Sequence, residues 1–288
     1  MKITDILGAG KVSVSFELFP PKHGSLLDGA KSIVRETAAL GPSFISVTYG
    51  AGGGESSHTV SLADEVQNVC GITALAHLTC VSSRRDSVHA VLGELKKLGV
   101  ENILALRGDI VEGAPLAVDV GYRYACELME DIRDYGGFCI GGACYPEGHP
   151  ESATLQKDIE SLKSKVDCGC EFLTTQMFFD NNILYNFMFR LLNNGIDIPV
   201  IAGIMPVTNG RQIARICKLS GTVLPPRFRA IVDKFSGSPA AMNQAGVAYA
   251  TEQIIDLIAN GVHNIHIYTM NKPDIAGRIM NNLSEIFK

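Results

Sequence analysis

Polar and titratable side chains recur where short apolar runs of this sequence end. Glu17 lies near the end of "SVSFELF", His77 lies in "ALAHLTC", and Arg107 and Asp109 follow "NILAL". The other run ends carry Thr48, Tyr49, Tyr145, Thr175, Gln176, Tyr268 and Thr269, with Met205 and Pro206 as the apolar exception. Taken singly, a side chain of this kind is more often a solvent-exposed group or a core group than a functional one. Their repetition at corresponding positions predicts a shared site with acid-base capacity.

Glu17 is the strongest candidate for a proton donor. It stands between Phe16 and Phe19, and Pro20 and Pro21 stop the apolar run directly afterwards. Apolar rings beside a carboxyl group favour its protonated form, which is the form that a general acid needs near neutral pH. We therefore expect these two rings to form an apolar wall around Glu17.

The elements that must position these residues alternate between β-type runs and amphipathic segments. The predicted strands are Val12–Phe19, Phe44–Thr48, Thr73–Leu78, Asn102–Leu106, Cys139–Ala143, Phe172–Thr175, Pro199–Gly203 and Asn264–Tyr268. Eight strands separated by helices favour an α/β fold of the TIM (β/α)8 barrel type over an open doubly wound sheet. In such a barrel the loops after the strands converge at one mouth, so the polar run ends are expected to meet there.

Two segments show clear helical spacing of apolar residues. One is Asp86–Gly99, in which Gly99 offers a C-terminal cap. The other is Thr154–Gly169, whose predicted buried face consists of Leu155, Ile159, Leu162 and Val166. The extra length Pro225–Asn260 predicts two more helices between strands 7 and 8. We expect the whole chain, residues 1–288, to form a single catalytic domain.

Composition narrows the class of protein. Of 288 residues, 46% are hydrophobic and 19% charged, and the net charge of −5 is spread without a basic run, which disfavours nucleic-acid partners. No signal-peptide pattern and no long apolar run occur, so we expect a cytoplasmic protein without a membrane segment. The eight cysteines include no CxxC pair. The pattern Cys168–Gly169–Cys170 is only weak evidence for a metal site. We predict instead that the cysteines are thiols in the apolar core that bind no metal.

Several catalytic motifs are missing from the sequence. "GAGGGESS", residues 50–57, is rich in glycine but has neither a Walker lysine nor a dinucleotide fingerprint, and we interpret it as a lid. The HExxH motif and the nucleophile elbow do not occur, which disfavours metallohydrolases and serine hydrolases. Hydride chemistry would therefore need a cofactor bound at the barrel mouth itself.

Eight motifs, one near each predicted strand end, resemble those of the methylenetetrahydrofolate reductases. They are "VSFELFPPK", "SVTYGAGG", "AHLTC", "LALRGD", "YPEGHPE", "TTQMFFD", "GIMPV" and "HIYTMNK", which extend in order from about Val12 to Lys272. The resemblance implies a TIM barrel with FAD across its carboxyl-terminal face. It further implies ping-pong reduction of methylenetetrahydrofolate to 5-methyltetrahydrofolate with NADH or NADPH as donor, in one-carbon metabolism and methionine biosynthesis. A homo-oligomer is also expected.

The resemblance assigns roles residue by residue. Glu17 would protonate N10 of the pterin substrate, and Asp109 would stabilise the cationic iminium that forms. Residues that resemble the family's FAD contacts are Thr48, His77, Arg107, Gly108, Asp109, Tyr124, Ala125, Ala143, Tyr145, His149, Asp158 and Lys165. Residues that resemble its substrate contacts are Glu17, Thr48, Asp109, Gln176, Gln212, Ile216, Tyr268 and Lys272.

The sequence departs from the family pattern on the donor side. Ile216 stands where well-known bacterial members carry an aromatic residue that stacks on folate and nicotinamide, and Ser161 and Ser164 replace residues that are polar or basic in some relatives. Two alternatives to the reductase remain open. One is a flavin-carrying subunit that receives electrons from an iron-sulfur partner protein. The other is a flavin-free pterin-binding barrel methyltransferase.

Overall fold

Eight parallel strands close into a barrel in the computed structural model, which describes residues 1–21, 23, 26–49, 56–81, 83–108 and 121–287. The strands are β1 Ser13–Leu18, β2 Phe44–Val47, β3 Thr73–Thr79, β4 Asn102–Leu106, β5 Cys139–Cys144, β6 Phe172–Thr175, β7 Val200–Ile204 and β8 Asn264–Tyr268. Each strand pairs with the next along the chain, and β8 pairs with β1. The predicted barrel and the positions of its strands are confirmed.

Helices alternate with the strands as the sequence predicts, and a short helix that was not predicted precedes β1. They are α1 Ile3–Leu7, α2 Leu27–Ala38, α3 Ser56–Asp64, α4 Arg85–Lys97, α5 Ala125–Tyr135, α6 Leu155–Asp167, α7 Asn181–Asn193, α8 Gly210–Ser220, α9 Pro226–Phe235, α10 Pro239–Ala259 and α11 Pro273–Asn282. A π-helical turn, Glu65–Val69, continues α3. The two extra helices predicted between β7 and β8 are α9 and α10. Gly99 follows α4 with φ of 71°, the left-handed conformation that suits glycine at a helix end.

One predicted helix face needs correction. Ile159 and Leu162 of α6 are buried, but Leu155 is 47% exposed. Leu155 is the first residue of α6, directly after the N-cap Thr154, whose hydroxyl accepts the N–H of Lys157. Helical spacing identifies the buried stripe, but it does not show how far along the helix the neighbouring elements cover that stripe.

Strand β1 shows how the barrel separates apolar from polar side chains. Val14, Phe16 and Leu18 belong to the core cluster that includes helix residues such as Val34 and Ile279. The alternate residues of a strand face the other side of the sheet, so Glu17 points into the barrel. Phe16 is therefore on the opposite face from Glu17, and Phe19 is 39% exposed. The predicted apolar wall of these two rings around Glu17 is wrong.

The amino-terminal end of the barrel interior is filled by apolar side chains and by α1. This cluster consists of Ile3, Leu7, Phe44, Leu75, Leu104, Cys139, Phe172 and Ile201. Asn102 fixes the chain around α1, because its Oδ1 accepts the N–H of Ile3 at 2.9 Å and its Nδ2 donates to the Met1 carbonyl at 3.1 Å. Full burial of a side chain such as Ile3 contributes about 1.5–3 kcal/mol. The packing leaves the carboxyl-terminal mouth as the open end of the described interior.

The cysteines are all free thiols, and four of them, Cys80, Cys139, Cys144 and Cys170, are buried. Cys168 and Cys170 do not converge: the Cys168 thiol lies 3.4 Å from Glu130 Oε1, whereas the Cys170 thiol donates to the Phe172 carbonyl. Within the described ranges, no three histidine, cysteine or acidic side chains form a group that could hold a metal ion. Among the same residues, no helix combines the length and apolar character needed to cross a membrane.

Candidate active site

A cavity of about 1220 Å³ opens at the carboxyl-terminal ends of the strands. Most of the site residues that the sequence predicts line it, namely Glu17, Thr48, His77, Arg107, Gly108, Tyr124, Ala125, Ala143, Tyr145, His149, Asp158, Lys165, Gln176 and Tyr268. A second cavity of about 360 Å³ shares Glu17, Arg107 and Tyr268 with the first and adds Ile216. Residues from distant parts of the sequence therefore meet at one mouth, as a barrel requires.

Two predicted site residues that the structure describes, Gln212 and Lys272, do not line these cavities. Gln212 is exposed in the first turn of α8 and lines neither cavity. Lys272 also lies outside both linings, and its Nζ donates to Thr208 Oγ1 at 2.9 Å. Asp109 lies outside the described residues, as do positions 50–55 of the segment interpreted as a lid.

Glu17 lies between two buried imidazoles. Its Oε2 atom is 3.8 Å from His77 Nε2 and 3.9 Å from His266 Nε2. The other ring nitrogen of His266, Nδ1, is 2.7 Å from Ser15 Oγ, the inward-facing hydroxyl two residues before Glu17. Sequence reasoning missed His266, although its place at the start of "HIYTMNK", two residues before Tyr268 in the same strand, indicates an inward side chain. The carboxyl group thus faces two imidazole nitrogens that both lie just beyond hydrogen-bonding distance.

His77 is held as a neutral imidazole near pH 7. Burial lowers its pKa from 6.5 to about 4, an effect that the carboxylate of Glu17 opposes and the neighbouring His266 reinforces. The His77 side chain is only 6% exposed, and its Nε2 has no hydrogen-bond partner among the described residues. A buried polar atom without a partner is costly, so Nε2 is suited to a polar atom of a ligand.

Tyr268 lines both cavities. Its hydroxyl donates to the Thr175 carbonyl at 2.5 Å, and burial keeps its pKa well above the usual value, so the phenol stays protonated. Gly203 on the neighbouring strand makes room for the ring, because a Cβ there would lie 2.7 Å from Tyr268 and 2.4 Å from the Thr175 carbonyl oxygen. The glycine of "GIMPV" therefore shapes the site through close packing.

Arg107 forms a two-pronged ion pair with Glu151 at the rim of the large cavity. The nitrogen–oxygen distances are 2.6 and 2.7 Å, and this hydrogen bonding lowers the pKa of the Glu151 carboxyl. The N–H of Glu151 donates to His149 Nδ1 at 3.1 Å, and burial, followed by the charge of Arg107, lowers the pKa of His149. Glu151 was not predicted as a site residue, although it ends the quoted motif "YPEGHPE". The pair fixes the direction of the guanidinium group.

The α6 side of the large cavity carries a second cation. Lys165 Nζ donates to the Ala143 carbonyl at 2.8 Å, and both residues line the cavity. Asp158, in the first turn of the same helix, is 6% exposed and accepts a hydrogen bond from the Ser152 hydroxyl. Ser161 and Ser164 also line this wall, and each hydroxyl donates to a carbonyl of its own helix. The wall is therefore polar, with positive charge from Lys165 and from Lys157, which also lines the cavity and pairs with Glu160 at 2.7 Å.

The fold and these side chains define a (β/α)8-barrel protein whose large, partly cationic cavity holds a carboxyl group beside two buried imidazoles. The sequence profile of the family described as "Methylenetetrahydrofolate reductase" matches residues 2–284. The bacterial 5,10-methylenetetrahydrofolate reductase of Pectobacterium carotovorum subsp. carotovorum is 32% identical over 95% of this chain and 91% of the relative. The chain therefore belongs to the methylenetetrahydrofolate reductase family.

The chain is also similar to a longer plant relative and, in fold, to a solved structure of low sequence identity. Methylenetetrahydrofolate reductase (NADH) 1 of Zea mays is 34% identical over 99% of this chain, and the chain spans about half, 50%, of that relative's length. In fold, the chain is similar to an uncharacterized protein from Clostridium thermocellum that binds two copies of 5-methyl-5,6,7,8-tetrahydrofolic acid. That structure has a TM-score of 0.64 and 14% identity and covers 100% of this chain and 99% of its own, a likeness that shows the barrel fold.

Proposed function

We propose that this protein reduces 5,10-methylenetetrahydrofolate to 5-methyltetrahydrofolate in a ping-pong cycle that depends on FAD. Family membership supports the reaction. The observation that carries the assignment is the position of Glu17, which lines both cavities and lies within 4 Å of two buried imidazoles. An acid at the junction of two binding spaces can serve one bound molecule while a second molecule occupies the other space.

The large cavity has room and partners for FAD. Its volume of about 1220 Å³ exceeds the roughly 300–1,000 Å³ that is usual for small-ligand pockets, as an extended dinucleotide requires. Arg107 and Lys165 offer positive charge to phosphate or to the flavin carbonyls, and the buried Nε2 of His77 offers a partner for one polar atom of the ring system. FAD bound there would supply the chemistry of accepting a hydride from the donor and passing it to the folate.

Glu17 would act on the folate. Its carboxyl proton would pass to N10 as the bond between N10 and the bridging carbon breaks, which opens the five-membered ring to a 5-iminium cation. Gln176, which lines both cavities, would orient the pterin through its amide. Asp109 would stabilise the cation by its negative charge, a role that the motif "LALRGD" supports. His77, which is neutral near pH 7, has no extra proton to donate at this point.

The electron donor is proposed to be NADH, the donor in the name of the maize relative, with NADPH or an iron-sulfur partner protein as the alternatives. Ile216 lines the smaller cavity beside Glu17 and Gln176, in the space that a nicotinamide and the folate would use in turn. A branched aliphatic side chain there offers less stacking than an aromatic ring. The single-domain organisation, the cytoplasmic location and the homo-oligomeric state remain predictions of the sequence.

An anaerobic two-step experiment tests the proposal. The purified protein should carry flavin absorption bands, NADH should bleach them, and methylenetetrahydrofolate should restore them with formation of 5-methyltetrahydrofolate, detected by mass spectrometry. Reoxidation after chemical reduction, without bleaching by NADH or NADPH, would identify a partner protein as the donor. A protein without flavin that transfers a methyl group to a corrinoid would contradict the proposed reaction.

A further inference from the structure

The turn after β8 has an unusual backbone. Met270 and Asn271 have φ values of 53° and 55°, and they are the non-glycine residues with positive φ in the described part of the chain. The N–H of Lys272 donates to the Thr269 carbonyl at 3.0 Å, so these two residues occupy the centre of a tight turn. Residues other than glycine are disfavoured in this conformation. Such backbone strain persists where the surrounding structure enforces it.

Asn271 uses this conformation to hold the end of β1. Its Oδ1 accepts the N–H of Phe19 at 3.0 Å, and its Nδ2 donates to the Phe19 carbonyl at 2.9 Å. The backbone register between β1 and β8 ends at Glu17 and Tyr268, so Phe19 lies beyond the last ladder pair. Pro20 and Pro21 have no N–H with which to extend the strand. The Asn271 side chain thus takes the place of a neighbouring strand for one more residue.

Thr269 holds the backbone of Glu17 itself. Its hydroxyl donates to the Glu17 carbonyl at 2.7 Å and also accepts the N–H of Asn271 at 3.2 Å. Thr269 is 1% exposed, so these bonds are shielded from water. On the other side of β1, the Leu18 carbonyl accepts the N–H of Thr48 at 2.9 Å. The main chain on either side of Glu17 is therefore fixed by both neighbouring strand ends.

We propose that Asn271, together with Thr269, is a positioning residue for Glu17. The two side chains fix the backbone from Glu17 to Phe19, so that only the side-chain torsions of Glu17 determine where its carboxyl group lies between His77 and His266. This inference rests on the proposed function, in which that carboxyl group donates a proton to the folate. A displacement of about 1 Å at a reacting group lowers a rate by up to about a hundredfold. Loss of the hydrogen bonds from Asn271 and Thr269 to β1, here called the clamp, should therefore slow the folate step.

Asn271→Gly tests the clamp because glycine tolerates the positive φ and lacks the amide. Asn260→Gly is the matched control, since Asn260 caps α10, has a negative φ and lies before β8, at the far end of the barrel. Hydrogen exchange measured by mass spectrometry should be faster in the peptide 13–19 of the Asn271 variant and unchanged there in the control. Thr269→Val, which removes only the hydroxyl, is the second variant and should give a smaller increase in the same peptide.

The kinetic arm uses FAD-loaded protein that is reduced chemically and mixed with methylenetetrahydrofolate. Reoxidation at saturating folate should slow about tenfold in Asn271→Gly, because a misplaced acid lowers the rate of the step rather than folate binding. The folate concentration for half-maximal rate, FAD affinity and reduction by NADH should stay within about twofold. Unchanged exchange in peptide 13–19, or an equal loss in both half-reactions, would overturn the positioning role. If wild type itself is not reoxidised by folate, the proposed function fails, and the exchange data still decide whether the clamp exists.

Discussion

Acidification should destabilise this protein through the buried imidazole of His77. The pKa of His77 is lowered from 6.5 to about 4 in the folded chain, chiefly by burial. Between those two values the unfolded chain binds a proton at this side chain and the folded chain does not. The free energy of unfolding therefore falls as the pH drops from 6.5 towards 4, and this contribution levels off below pH 4.

The size of the effect follows from the difference between the two pKa values. At about 1.4 kcal/mol for each pKa unit, the change from 6.5 to about 4 corresponds to about 3 kcal/mol of stability. Native domains are stable by only about 5–15 kcal/mol, so one imidazole would remove a substantial fraction of the total. A His77→Gln variant has no proton to gain and should lack this part of the acid sensitivity.

Urea unfolding at a series of pH values measures the effect. The difference in unfolding free energy between wild type and His77→Gln should change by about 2–3 kcal/mol between about pH 7.5 and about pH 4.5. His263→Gln, a replacement at an exposed position, serves as the control for losing an imidazole. Equal acid sensitivity of wild type and the His77 variant would refute the reasoning, because it would mean that the folded chain protonates His77 as readily as the unfolded chain does.

Three further substitutions test the site. Glu17→Gln should keep FAD and flavin reduction yet lose folate reduction, because only that half-reaction needs the proton; a normal stopped-flow rate would exclude Glu17 as the acid. Gly203→Ala should lower the unfolding free energy in urea by about 1–3 kcal/mol through its clash with the Thr175 carbonyl, whereas Gly29→Ala, in open space, should not. Ile216→Phe should raise the rate constant for flavin reduction by NADH several-fold, up to about tenfold; an unchanged rate would favour a partner protein as donor.

The barrel could be predicted because its signals are local. Each strand is a short apolar run, and several helices between strands show their own apolar periodicity, as in α4 with its glycine after the last turn. The positions of Glu17, His77 and Tyr268 at one mouth follow from the fold class, since the ends of parallel strands meet in a barrel. The family resemblance then supplied cavity residues such as Lys165 that lie on a helix rather than at a strand end.

The remaining features depend on contacts between distant parts of the chain. The surroundings of Glu17 are set by His266 and Asn271 across the β1–β8 seam, and no local pattern shows that pairing. The wrong apolar wall arose from reading Phe16 as a neighbour in sequence, although alternation places it on the other face of the sheet. Glu151 was missed because its role appears only when Arg107 is opposite it.

The seam between β1 and β8 also determines when the acid site can be assembled during protein synthesis. Ser13 and Asn264, whose side chains are hydrogen bonded at the start of this seam, are separated by 251 positions. At about 5–20 residues per second, a ribosome needs roughly 10–50 s to make that stretch. Throughout that interval the nascent chain therefore carries Glu17 without His266, Thr269 or Asn271. If Glu17 is the proposed acid, it can work only after β8 has emerged, because a product truncated before β8 would lack the imidazole of His266 and the hydrogen bonds from Thr269 and Asn271.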